Sequence, residues 1–150
     1  MKEIHIMIVD DFSGWRAVLR SILEKIERYR IVGEAKDALE AIEMVGVLLP
    51  DIVLLDIGLP ILNGVEAAPR IHQASPTSRI IFVTQELDRD VKATALAVGA
   101  KGYLLKSSVG SELEAAIETA LKDNRPTALF DLSRLEHRSL LVERVPQASG

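Results

Sequence analysis

The chain has 150 residues, 48% of them hydrophobic, and no cysteine, which suits one domain with a core and excludes a disulfide framework or a thiolate metal site. Its formal charge is -4 with a pI near 5.4, a balance that works against attraction to nucleic-acid phosphates. The opening apolar run breaks at Asp10 and Asp11, too soon for a signal peptide, and no run reaches the roughly 18 apolar residues of a membrane span, so the expected setting is cytoplasmic with no membrane partner.

Short runs rich in Val and Ile alternate with stretches of helical period, the pattern of βα units that build a parallel sheet. The first strand is expected at Ile4 to Val9, followed by a helix from Ser13 to Tyr29 striped by Val18, Leu19, Ile22, Leu23 and Ile26. A second strand runs from Arg30 to Ala35, and a helix from Ala38 to Leu49 is closed by Pro50. Ile52 to Leu55 makes a third strand, apolar at every position and so buried on both faces. Asn63-Gly64 marks a turn before a helix from Val65 to Ala74, where Pro69 requires either a first-turn position or a kink. The fourth strand is Arg79 to Val83, with Asp88 as N-cap of a thinly apolar helix ending near Gly99. The fifth is Gly102 to Leu105, before a last helix started by a Ser111/Glu114 capping box and packed through Leu113, Ile117 and Leu121. Five βα units are complete near Asn124. Residues 125–150 read as a linker and a short helix within Asp131 to Val145, available to pack on a partner.

In a doubly wound sheet every strand delivers its C-terminal end to one edge, where ligands bind at the switch point of strand order. Here those ends read Asp10 and Asp11, then Asp56, then Thr84, then Lys106. Three carboxylates in one crevice repel by roughly 4 kcal/mol per close pair at an effective dielectric of about 20, so the cluster needs a cation. Hard oxygen ligands without His or Cys point to Mg²⁺, which takes one or two protein carboxylates together with phosphate oxygens. Lys106 offers a fixed positive charge and Thr84 a hydroxyl donor for two oxygens of a phosphoryl group. Asp56, at the end of the central strand between the other groups, is the candidate nucleophile for an acyl phosphate.

IMIVDDF, IVLLDIGLPILNG, IIFVT and GYLLK, in this order, resemble the receiver domain (CheY-like) of two-component response regulators over residues 3 to about 124. The resemblance implies a flavodoxin-like sheet of order 2-1-3-4-5 and phosphorylation of Asp56 by a sensor histidine kinase. It also implies Mg²⁺ held by Asp11, Asp56 and the backbone carbonyl of Gly58, with Asp10 acting through water, while Lys106 and Thr84 engage the phosphoryl group. Tyr103 would change rotamer and alter the face of the fourth helix, fifth strand and fifth helix, signalling to a downstream protein or a second copy of the chain. The C-terminal segment is another route to a homodimer. Beyond its own phosphorylation and dephosphorylation, no enzymatic activity is expected.

Two departures stand out. Gln85 follows Thr84 where the family usually has a small residue, so it is a candidate modulator of phosphoryl lifetime. DLSRLEHRSLLVERV faintly resembles the first helix of the LuxR/NarL-type helix-turn-helix often joined to such receivers, but no recognition helix follows, and direct nucleic-acid binding by this chain is not expected.

A lone strand-end aspartate is more often a turn former or N-cap, and the reading rests on the joint pattern. Tyr103 alone reads as a half-buried strand aromatic, and Trp15, near the start of the first helix and close to the acidic site, reads first as core or surface packing; His5 is a strand residue facing a helix or solvent, and His72 and His137 lie in helical stretches without a second ligand at metal spacing. Two alternatives remain: a pseudo-receiver that serves as an interaction module with Gln85 blocking chemistry, and an aspartate-nucleophile phosphohydrolase. The second expects an acid two residues after the nucleophile, where Gly58 stands.

Overall fold

The five short Val- and Ile-rich runs that read as strands become strands, and they join one parallel sheet of order 2-1-3-4-5. The computed structural model describes residues 2–85, 88–97 and 99–125. Strands β1 (Ile4–Val9), β2 (Tyr29–Ala35), β3 (Ile52–Leu55), β4 (Arg79–Thr84) and β5 (Gly102–Leu105) alternate with helices α1 (Ser13–Leu23), α2 (Ala38–Leu48), α3 (Gly64–Ala74), α4 (Arg89–Ala97) and α5 (Val109–Lys122). This is the three-layer, doubly wound arrangement expected from the alternating pattern.

The period of two along each strand splits the core into two layers. Met7, Val9, Val53, Leu55, Ile80 and Phe82 face α2, α3 and α4, while Ile6, Ile8, Ile52, Leu54, Ile81 and Val83 face α1 and α5. Strand β3 is buried along its whole length, as its unbroken apolar text predicts. The central strands are thereby fixed from both sides, which makes their C-terminal ends rigid mounts.

Three local expectations are corrected. Helix α1 stops at Leu23, not Tyr29, because the chain closes into successive turns, with the N–H groups of Lys25 and Ile26 bonded to the carbonyls of Ile22 and Leu23. Ile26 still packs on the core from this turn, so the apolar stripe outlasts the helix. Tyr29 joins β2 opposite Ile4, and its hydroxyl donates to Glu118 at 2.6 Å. Ser111 does not cap α5: a 3₁₀ turn over Lys106–Ser108 runs straight into the helix at Val109, and the Ser111 hydroxyl donates back to the Ser108 carbonyl. Burial of Val109 fixes this earlier start.

Pro69 is the sixth residue of α3 and lies beyond the first turn. Its missing N–H leaves the Val65 carbonyl without a bond from that position, and burial of the ring among helix neighbours offsets the loss. Asn63 and Glu66 make a reciprocal capping box at the start of α3, and Asp88 accepts from Val91 N–H at the start of α4. Past α5, Lys101 pairs with Asp123 at 3.4 Å and donates to the Arg125 carbonyl at 2.8 Å. The expected helix within 131–145 lies outside the described residues, as does His137.

Candidate functional site

Strand register brings the candidate residues together. Val9 pairs with Leu55, so Asp10 and Asp56 leave adjacent strands side by side where the sheet order reverses. The Asp56 N–H donates to the Val9 carbonyl and the Asp10 N–H to the Ala35 carbonyl, both at 3.0 Å. Leu55 pairs with Phe82 and Thr84 with Leu105, which sets Thr84 and then Lys106 along the same edge. Asp11, Asp56, Gly58, Thr84, Gln85 and Lys106 line an open cleft of about 420 Å³, completed by Phe12 and Trp15.

The charges in this cleft are unequally satisfied. Asp10 is 2% exposed; its carboxylate accepts from Phe12 N–H at 2.9 Å and pairs with the Lys106 ammonium at 2.8 Å. Arg16 donates to the Asp10 carbonyl at 2.6 Å and lies 3.4 Å from Glu34, which Arg20 holds through two bonds. Asp56, 6% exposed, receives Gly58 N–H at 3.2 Å and stands 3.8 Å from Lys106. Burial, then the charge of Asp10, pushes the Asp56 carboxyl up to about 6, against the opposing pull of Lys106 and Gly58 N–H. Asp11 is exposed.

One oxygen from each of Asp10, Asp11 and Asp56 lies within 4.8 Å of the others. An all-oxygen, net-negative donor set with one ligand open to water fits a small hard cation such as Mg²⁺. The β3–α3 loop is closed tightly beneath it: Gly64 N–H donates to the Ile57 carbonyl at 2.9 Å, and a Cβ on Gly64 would collide with the Asp56 carbonyl oxygen.

Tyr103 lies outside the cleft. Its ring packs 6.4 Å from Phe82 under the Lys92 ammonium, and burial raises its pKa, with the Asp88 backbone and the Thr84 side chain pulling the other way. Two residues acquire site roles that sequence reading did not give them. Trp15, expected to serve packing, lines the cleft with its ring centroid 5.2 Å from the Lys106 ammonium, and Arg16 secures the Asp10 backbone. The available signal was position: a helix that begins two residues past Asp11 must carry its first turn along the cleft.

A 2-1-3-4-5 sheet with an acidic crevice at its β1/β3 switch point defines a flavodoxin-like α/β domain of the CheY-like type. The chain belongs to the response regulator receiver domain family of two-component systems, whose model matches residues 6–118. It is 31% identical to the transcriptional regulatory protein YdfI of Bacillus subtilis, over 93% of this chain and 66% of that protein. Identity to the response regulator UvrY of Escherichia coli is 32%, over 81% of this chain and 56% of that one. The chain thus spans little more than half to two thirds of these relatives. Among solved structures, the response regulator domain of Thermotoga maritima CheB superposes with a TM-score of 0.76 at 31% identity, covering 83% of this chain and all of that one. A LuxR-family response regulator from Aurantimonas sp. SI85-9A1 gives 0.77 at 34% identity, covering 92% of this chain and 99% of that one. Among the described residues, no helix is long and apolar enough to cross a membrane.

Proposed function

We propose that this receiver takes a phosphoryl group onto a carboxylate oxygen of Asp56 from the phosphohistidine of a sensor histidine kinase, using Mg²⁺. The observation that carries the reading is the placement of Asp56, 3.8 Å from the Lys106 ammonium and clustered with Asp10 and Asp11 within 4.8 Å. The carboxylate oxygen bonds to phosphorus as the P–N bond breaks, and the imidazole leaves with the bonding pair. Lys106 and the Thr84 hydroxyl bind the phosphoryl oxygens, replacing the water that solvated them. Asp11, Asp56 and the Gly58 carbonyl would hold the metal, with Asp10 acting through water; once bound, Mg²⁺ supplies neutralising charge to the phosphoryl oxygens. Gly58 brings no acid to the site, which disfavours a phosphohydrolase. Gln85 stands exposed on the rim of an open cleft, which disfavours a blocked pseudo-receiver and supports a modulating role. Thr84, at the end of β4 and paired with Leu105 of β5, connects the cleft to the α4–β5–α5 face, through which a downstream protein or a second copy of the chain would be addressed.

The test is phosphate incorporation from acetyl phosphate, read by intact mass. Incorporation is expected to require Mg²⁺, to be removed by hydroxylamine and to vanish in Asp56→Asn. Undiminished labelling of that variant refutes the assignment.

A further inference from the structure

Lys106 opens a 3₁₀ turn at the end of β5, and its ammonium is held between two unlike surfaces. On one side stands Asp10, at 2.8 Å; on the other is the ring of Trp15, its centroid 5.2 Å away. A cation at that distance from an indole face is attracted by the ring quadrupole, more strongly where water is thinned, and Lys106 is only 6% exposed. The ring is itself fixed: Trp15 is the third residue of α1 and packs on the apolar layer shared by α1 and α5.

The two partners differ in what a metal does to them. Asp10 belongs to the acidic cluster, so a cation bound there competes with Lys106 for its carboxylate. The indole takes no part in that competition. We infer that Trp15 is a positioning residue for the phosphotransfer: its ring keeps the Lys106 ammonium facing Asp56 when the cation draws Asp10 away. Without the ring, a side chain with four rotatable bonds is free to turn toward water. This inference rests on the phosphorylation reading for its consequence, though the ring–ammonium contact is testable without it.

Trp15 is the only tryptophan of the chain, so indole emission reports on this one ring and its surroundings, of which Lys106 is one part. Lys106→Met is expected to change the emission of the metal-free protein; unchanged emission would overturn the inference. In phosphorylation by acetyl phosphate, Trp15→Leu is expected to lower the maximal rate about fivefold with Mg²⁺ affinity unaltered, and Trp15→Phe to keep more than half of it. A wild-type rate in Trp15→Leu, or an equal loss of Mg²⁺ affinity, marks the ring as mere packing and refutes the proposal. Should Trp15→Leu fail to fold, Trp15→Phe and the emission of Lys106→Met decide. If wild-type protein takes up no phosphate, the phosphorylation reading fails while the emission measurement still tests the contact.

Discussion

Replacing Asp56 by Asn is expected to stabilise the protein at neutral pH when Mg²⁺ is withheld. The Asp56 carboxyl is held near 6 in the folded chain against 3.8 for a free side chain. Between those values the native state keeps a proton that the unfolded state has lost, so stability falls as pH rises through this window, and the full cost is present above it. A difference of about 2 pK units, at about 1.36 kcal/mol each, amounts to roughly 3 kcal/mol. The pull of Lys106 is already contained in that shift, and Asn keeps an oxygen to accept Gly58 N–H but loses the charge that strengthened this bond, which leaves a net gain of about 1–3 kcal/mol. Near pH 4.5 most of the native carboxyl is already protonated, and the cost is only about 1 kcal/mol. Urea unfolding followed by Trp15 emission in the presence of a chelator measures both conditions. An Asn variant no more stable than wild type at neutral pH, or a gain that does not shrink on acidification, would refute the account of an under-compensated carboxylate.

Adding Mg²⁺ is expected to shrink that gap: at about 100 times its dissociation constant it should stabilise the wild type by about 2.7 kcal/mol, with a clearly smaller effect on Asp56→Asn in the same urea titration. Gly64→Ala should destabilise by about 1–3 kcal/mol and weaken Mg²⁺ binding, because the new Cβ drives into the backbone that carries Asp56; calorimetry and metal titration check the two effects together. Ile61 is 95% exposed with φ of 69°, a left-handed conformation that a β-branched residue adopts only under strain. Ile61→Gly relieves that strain, about 1–2 kcal/mol, and gives back about 0.5–1 kcal/mol because glycine has more unfolded-state entropy to lose, so a net stabilisation of about 0.5–1 kcal/mol is expected in thermal melts.

The strands were legible because their text is redundant. Ile52 to Leu55 leaves no polar residue for a solvent face, and the predicted limits of β1, β3 and β5 coincide with the observed ones. Site geometry was legible for the same reason: once the strands are parallel, the residues just past their ends share an edge whatever the loops do. Helix limits were harder to read. Ile26 continues the period of α1 from a turn, since apolar spacing records burial and not hydrogen bonding. Ser111 and Glu114 have capping-box spacing inside a helix that had already started, because propensity at one residue yields to the burial of Val109. Trp15 reads as packing and Arg16 is not singled out because sequence position puts the first turn of α1 near the cleft, whereas which of its side chains face Lys106 and Asp10 depends on where the helix crosses the sheet edge.

The distribution of partners among the acids carries its own argument about reactivity. Asp10 is anchored from both flanks of the sheet: its carboxylate by Lys106 from beyond β5, its carbonyl by Arg16, which is steadied in turn by Glu34 of β2. Asp11 is left to solvent. Asp56 is buried like Asp10 but has only a 3.2 Å bond from Gly58 and an ammonium at 3.8 Å. A charge so placed is the one that gains most from any group bringing compensation, and its raised pKa is the measure of what is missing. The fold keeps one carboxylate rigid, one hydrated and one unsatisfied. That inequality, more than the count of three acids, favours Asp56 as the atom site where a cation and a phosphoryl group would be accepted together.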